Sequence, residues 1–156
     1  MRQDIIAVDV QGLIPTSQGS ALFLGNTAKT ILIYVDNHMG KIILTSLKGD
    51  KRERPMTHDL ILNIFQGFEI FLDKVVINYA HEGTFHARLI LRMQNELGIK
   101  LVELDARPSD SVVLAIQTNR PIYVAKAVLD KLEDVTDILK KLFKQQPGIY
   151  PPYPEL

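Results

Sequence analysis

Apolar and polar residues alternate over several short stretches of the chain, which is the pattern of β-strands that bury one face. These stretches are rich in β-branched residues and end at turn-forming residues. They predict seven strands, at residues 5–14, 21–24, 30–35, 74–79, 84–93, 101–104 and 121–124. The sequence His81-Glu82-Gly83 between the fourth and fifth strands predicts a hairpin.

Other stretches repeat apolar residues three and four positions apart, which predicts helices. The expected helices cover, approximately, residues 36–48, 57–67, 109–118, 126–132 and 135–145. Thr57 and Ser109 are the expected N-caps of the second and third helices, because a hydroxyl can accept a hydrogen bond from a free backbone N–H. Phe65, Phe68 and Phe71 are expected in the core.

Runs of strands interspersed with helices indicate the α+β class. The 156 residues suffice for one compact domain, which we expect over residues 1–145, with a mixed or antiparallel sheet and several packed helices. Residues 146–156 are rich in proline and tyrosine. Proline is excluded from helix interiors and central strands, so this segment is expected to be a C-terminal tail that either packs on a surface or stays mobile.

Charge and composition exclude several classes of protein. Lysine plus arginine and aspartate plus glutamate each number 18, so a global positive field does not hold this chain to nucleic acid, although a local basic patch could. The absence of cysteine excludes disulfide scaffolds, thiol nucleophiles and thiolate metal sites. Neither a secretory signal nor a membrane-spanning stretch is evident, so we expect a cytoplasmic protein with no membrane partner.

Two predicted helix starts share one design, in which Arg-Pro precedes a hydroxyl residue and then an acid. The first contains Arg54 and Thr57, and the second contains Arg107 and Ser109. Free backbone N–H groups beside an arginine favour a phosphate oxygen, so these four residues are candidates for phosphate binding.

The acids of the same segments suggest catalysis. Asp59, Asp110 and the nearby Asp105 could bind a hard divalent cation such as Mg²⁺ or Mn²⁺. His58 could transfer a proton, since histidine is the most common general acid or base in enzymes. The alternative is structural, because a capped helix start with an acid in its first turn and a paired arginine is ordinary.

Three blocks of sequence bear on this choice. They are Arg-Pro-Met-Thr-His-Asp-Leu at residues 54–60, Glu-Gly-Thr-Phe-His-Ala at 82–87, and Asp-Ala-Arg-Pro-Ser-Asp-Ser at 105–111, the last followed by Pro-Ile-Tyr-Val at 121–124. In order and spacing they resemble the bifunctional nuclease domain family over about residues 5–132. The resemblance implies a compact α+β domain, commonly oligomeric, with activity on RNA and DNA in some members.

Carried over by position, the motif residues are Arg54, Thr57, His58, Asp59, Asp105, Arg107, Ser109 and Asp110. The chain departs from the family near residues 32–41, where a Pro, a Gly and a Glu that are usual in the family are replaced. Asp36 could substitute for that glutamate.

Two hypotheses follow. In the first, the chain is a nuclease that hydrolyses phosphodiester bonds of RNA or DNA, with His58, Asp59, Asp105 and Asp110 as catalytic residues and a possible divalent cation. In the second, it is a non-catalytic binding or assembly module in which the same residues form a structural network. A homo-oligomer is expected in either case. An open cleft at the motif residues would favour chemistry, whereas a closed network would favour scaffolding.

Overall fold

Seven strands form one sheet in the computed structural model, which describes residues 2–145. The strands are β1 (Ile5–Thr16), β2 (Gly19–Gly25), β3 (Thr30–Val35), β4 (Ile70–His81), β5 (Thr84–Asn95), β6 (Gly98–Ala106) and β7 (Ile122–Ala125). Their order across the sheet is β3-β2-β1-β7-β4-β5-β6. Only the β4–β7 pair is parallel within the described residues, so the predicted mixed sheet is confirmed.

Five helices accompany the sheet, and each overlaps a predicted one. They are α1 (Asn37–Lys48), α2 (Thr57–Gly67), α3 (Pro108–Thr118), α4 (Lys126–Lys131) and α5 (Thr136–Gln145). The α+β class is therefore confirmed. No helix among the described residues is long and apolar enough to cross a membrane. The predicted tail, residues 146–156, lies outside the described residues.

Both predicted N-caps are wrong, by one or two positions. Met56 is the N-cap of α2, and its backbone N–H donates to Oδ2 of Asp59, the third residue of the helix, at 2.8 Å. This is the reciprocal bond of a capping box, in which the acid accepts from the N-cap N–H. Arg107 is the N-cap of α3 and has an extended backbone, with φ −70° and ψ 145°. Pro108 fills the first helical position and keeps the preceding residue extended, which places Ser109 inside the helix.

The main core lies between one face of the sheet and helices α1 to α3, and Val128 and Leu129 of α4 also belong to it. Val75 and Ile77 of β4 are fully buried there with Val112 and Val113 of α3. A second, smaller cluster lies on the opposite face, where Val135 and Leu139 pack on side chains of β1 and β2 that include Phe23. Helices α1 to α3 leave the opposite face of the sheet open. Val135 and helix α5 cover the part of that face formed by β1, β2 and β3.

The prediction that three phenylalanines are buried is wrong for two of them. Phe65 is partly buried and packs on the main core. Phe68 is 69% exposed, because it follows the last residue of α2 on the solvent side. Phe71 is 51% exposed, because it pairs with Arg92 on the face of the sheet opposite the main core.

Candidate functional site at two adjoining helix starts

The starts of α2 and α3 adjoin each other and are joined by hydrogen bonds. His58, the second residue of α2, places Nε2 2.8 Å from Oδ1 of Asp110, the third residue of α3. Arg107 donates from Nε to Asp110 Oδ2 at 2.8 Å and from Nη2 to Oδ1 at 3.3 Å. We call these three residues the helix-start cluster. The His58 side chain is 6% exposed, that of Asp110 28% and that of Arg107 65%, so the cluster runs from the interior to the surface.

The protonation of the cluster follows from these bonds. Burial tends to raise the pKa of Asp110, but the hydrogen bonds from Arg107 and His58 outweigh it and leave that pKa below its ordinary value. The bond with Asp110 in turn raises the pKa of Arg107. An ionised carboxylate can only accept hydrogen bonds, so Nε2 of His58 must carry the proton between the two groups. In the neutral ring, Nδ1 then holds a lone pair.

His58 Nδ1 is a buried atom without a hydrogen-bond partner among the described residues. Buried polar atoms are nearly always paired, and exceptions concentrate where a group has a chemical role or where a bound molecule completes the bond. This nitrogen is therefore the atom of the cluster whose bonding is incomplete.

The start of α2 contains a second ion pair that sequence reasoning did not identify. Asp59 Oδ2 accepts a hydrogen bond from Arg52 Nη1 at 2.9 Å as well as the one from the backbone of Met56. The bond from Met56 lowers the pKa of Asp59 most; burial opposes this and Arg52 adds to it. Arg52 lies seven residues before Asp59 across an irregular loop, so no periodicity in the sequence indicates the pair.

The residues predicted to bind phosphate at this first helix start are accessible. Arg54 and Thr57 are both exposed. Arg54 lines a cavity of ≈ 630 Å³ together with Arg52 and Asp59. The first helix start thus presents cations to an open surface, but its acid and histidine do not share a partner: Asp59 binds Arg52, whereas His58 binds Asp110.

Asp105 does not join the cluster. It lies on β6, directly opposite Arg88 of β5, and its carboxylate is 3.8 Å from the Arg88 guanidinium. Successive side chains of a strand point to opposite faces, so Asp105 faces away from the main core. Asp59, Asp105 and Asp110 therefore pair with three different arginines. Within residues 2–145 no three histidines or acids lie close enough to hold a metal ion. These carboxylates do not fit a shared Mg²⁺ or Mn²⁺ site, and we derive no step through a metal.

A second cavity, of ≈ 260 Å³, borders the start of α3 and is lined by Arg107, Ser109, Asp36 and Phe85, among others. Ser109 is buried at its edge. Asp36 caps α1 by accepting a hydrogen bond from the backbone of Met39 at 2.8 Å, and its charge also contributes to the raised pKa of Arg107. Asp36, which could substitute for the family's usual glutamate, is thus an acid close to Arg107.

These features define a small α+β domain with an Arg–Asp–His network joining two helix starts. The sequence profile of the bifunctional nuclease domain matches residues 22–136, and the chain belongs to that family. Two curated proteins of Mycobacterium tuberculosis, from strains CDC 1551 and H37Rv, are each 35% identical over 104 residues. Both are described as uncharacterized proteins, and the match covers 67% of this chain and 59% of each relative.

Proposed function

We propose that this protein hydrolyses phosphodiester bonds of nucleic acid and that its reaction centre is the helix-start cluster. The observation that supports this best is the continuous hydrogen-bonded series from the exposed Arg107 through Asp110 to His58. Membership of the bifunctional nuclease domain family supports the same class of reaction. Fold and family alone do not assign chemistry, so the proposal rests on the roles of these side chains.

Arg107 is the group that would bind the phosphate. A guanidinium has five N–H donors, and the bonds to Asp110 use only Nε and one N–H of Nη2. The remaining donors belong to a side chain that is 65% exposed and can bind non-bridging phosphate oxygens. Asp110 fixes the plane of the guanidinium, which reduces the conformational entropy lost on binding.

His58 would be the general base. Asp110 holds its Nε2–H, which leaves Nδ1 to accept the proton of the attacking water or hydroxyl while the new oxygen–phosphorus bond forms and the bond to the leaving oxygen breaks. The leaving oxygen takes its proton from solvent. The carboxylate of Asp110 then stabilises the imidazolium. Because Nδ1 is buried, the groups that cover it must move when substrate binds.

The test is cleavage of labelled single-stranded RNA and DNA in EDTA, Mg²⁺ or Mn²⁺ by wild type and His58→Gln. The glutamine amide can still donate to Asp110 but cannot accept a proton. We expect cleavage to fall by about 100-fold or more while the melting temperature changes little. His38→Gln is the matched control, because His38 is exposed on α1 and lies outside the cluster, and it should cleave as wild type. Wild-type cleavage by His58→Gln would refute the assignment of His58.

A non-catalytic binding or assembly module is the second candidate. It is favoured by the burial of His58 and by the engagement of both Asp110 oxygens, which make the network closed in the way expected of a structural tie. Under this alternative the wild type cleaves neither RNA nor DNA in any of the three conditions, and His58→Gln has no phenotype beyond stability.

We further propose that the chain forms a homo-oligomer through α2. Four apolar side chains lie four residues apart along its outer face, each 47–69% exposed: Met56, Leu60, Ile64 and Phe68. Such a stripe on an otherwise packed helix is typical of a contact with another subunit. Light scattering after size exclusion should give a multiple of 17.6 kDa for wild type and a smaller mass for Ile64→Glu. A monomeric wild type would contradict this proposal.

A further inference from the structure

The face of β4, β5 and β6 that points away from α1 to α3 differs in chemistry from the rest of the surface. Pairing places Val76, Arg88 and Asp105 side by side on this face, whereas Val75 and Leu89 point to the main core. Residues around α5 cover the opposite end of the same side of the sheet. We call the remaining part the helix-free face.

Aromatic and imidazole rings are grouped on this face near the β4–β5 hairpin. Tyr79 is 51% exposed. The His86 ring meets it edge-on at a centroid distance of 5.4 Å, and the His81 ring is stacked beside it at 6.3 Å. Both histidines are exposed. We call these three residues the ring cluster. Helix α4 lies beside the ring cluster, since Tyr79 and His81 line a cavity of ≈ 250 Å³ together with Ala127 and Lys131 of that helix.

Cations are interleaved with rings along the rest of the face. The Arg92 guanidinium lies 5.1 Å from the centre of the Phe71 ring, and Lys74 Nζ lies 5.8 Å from that of Tyr123. The twelve residues of β5 include two arginines, Arg88 and Arg92, and no acid.

Among residues 2–145, the acids paired with these arginines lie on neighbouring strands. Asp73 is 3.2 Å from Arg92, and Asp105 is 3.8 Å from Arg88. Partly exposed pairs of this kind contribute little to stability, so a phosphate can replace the carboxylate at small cost.

We propose that the helix-free face binds single-stranded nucleic acid, with bases stacked on the ring cluster and phosphates bound by Arg88 and Arg92. This inference rests on the proposed function and names its substrate as a single strand. Rings with intervening cations are the arrangement that binds unpaired bases, because every base offers a π-face and every linkage a negative charge. A base in a duplex is already stacked on both sides and has no face to offer.

The ring cluster is also continuous with the proposed reaction centre. Tyr79 and His86 lie next to the β4–β5 turn, and the ≈ 260 Å³ cavity lined by Arg107 is also lined by Gly83 of that turn and by Thr84 and Phe85 at the start of β5. A strand that stacks on the ring cluster can therefore pass around the hairpin and present a phosphate to Arg107.

The test is fluorescence anisotropy with labelled oligothymidylate and oligouridylate of about ten nucleotides, in EDTA. Tyr79→Ala should weaken binding by about tenfold, whereas Tyr79→Phe keeps the ring and should bind as wild type. Ile138→Ala, which changes an exposed apolar residue on α5, is the control that should have no effect on affinity. A duplex of the same length should bind more weakly than either single strand.

Intrinsic fluorescence gives an independent readout, since the chain has five tyrosines and no tryptophan. Stacking should quench tyrosine emission in the wild type, and Tyr79→Phe should lose this quenching while it keeps its affinity. Wild-type affinity in Tyr79→Ala would overturn the proposal. A change of oligomeric mass in Tyr79→Ala without a change of affinity would also overturn it, because the face would then be a contact between copies.

The outcomes separate this inference from the hydrolase proposal. His58→Gln should bind oligonucleotide as wild type although it does not cleave. A chain that binds through Tyr79 but never cleaves refutes the reaction and keeps the binding face. A chain that cleaves, but whose affinity does not depend on Tyr79, refutes the binding face alone.

Discussion

Asp110→Asn is the substitution that tests the helix-start cluster most directly. Asp110 accepts hydrogen bonds of 2.8 Å from both Arg107 and His58, and both partners are donors. An asparagine has one oxygen for these two donors, so its NH₂ group must face the other. One charge-assisted bond is then lost, together with the negative charge that favours the first turn of α3.

The magnitude follows from the geometry and exposure of the carboxylate. A hydrogen bond to a charged group contributes about 1.5–3 kcal/mol to the free energy of unfolding. The Asp110 side chain is 28% exposed, so solvent screening places the expected loss toward the lower half of that range, about 1.5–2 kcal/mol. For a domain of this size this lowers the melting temperature by about 3–8 °C.

The effect also has a defined pH dependence. The pKa of Asp110 is lower in the folded state than its ordinary value, which applies to the unfolded chain. Its contribution is therefore complete above that ordinary value and is lost as the pH falls through the lower, folded pKa. Asparagine does not titrate, so the difference between wild type and Asp110→Asn should be full at neutral pH and shrink in acid.

The assay is urea unfolding of both proteins at neutral pH and at a series of acidic pH values. Asp105→Asn is the control, because its carboxylate is more exposed and 3.8 Å from Arg88, and it should change the free energy of unfolding by less than about 1 kcal/mol. An Asp110→Asn protein as stable as wild type at neutral pH, or a difference that persists unchanged in acid, would show that the reasoning is wrong.

Three further predictions concern packing and charge. Gly40→Ala should destabilise the fold by about 1–2 kcal/mol in urea unfolding, because its new Cβ would lie 2.7 Å from Ser20 Cβ. Gly67→Ala is the control: its Cβ meets nothing within 4 Å, so it should be neutral or stabilising by up to about 1 kcal/mol. Leu139→Ala should cost about 2–4 kcal/mol in the same assay, since it opens the smaller core. Asp36→Ser keeps a side chain that can cap α1 but removes a negative charge near Arg107. Oligonucleotide binding should therefore tighten a few-fold in anisotropy titrations. Unchanged affinity would mean that Arg107 does not contact phosphate.

The secondary structure could be predicted from the sequence because hydrophobic periodicity is local information. The sequence motifs also identified His58, Arg107 and Asp110 as candidates, but the contact between His58 and Asp110 could not be predicted, since 52 residues separate them. They meet because β7, late in the chain, inserts between β1 and β4 and thereby draws the preceding α3 against the sheet beside α2. The predicted grouping of Asp105 with Asp110 fails for a local reason: an extended strand alternates its side chains, and Asp105 points to the other face.

The exposure of the aromatic residues could not be predicted from the sequence either. Phe71 and Tyr79 occur in an apolar, β-branched strand, which the periodicity assigns to a sheet without specifying what covers each face. Coverage depends on where α5 packs, and its apolar stripe does not indicate which end of the sheet it will choose. It packs at the β1–β3 end, so the rings of β4 remain exposed.

A chain with no net charge can still bind nucleic acid, but its arginines are paired locally with acids. Arg52, Arg88, Arg92 and Arg107 each have an aspartate partner within 4 Å. A phosphate that approaches one of them must compete with that carboxylate, so each exchange contributes less to affinity than an unpaired cation would. Electrostatics alone would then give weak, strongly salt-dependent binding. Stacking on Tyr79 does not depend on net charge, and it would supply the part of the affinity that a neutral chain cannot obtain from phosphate contacts.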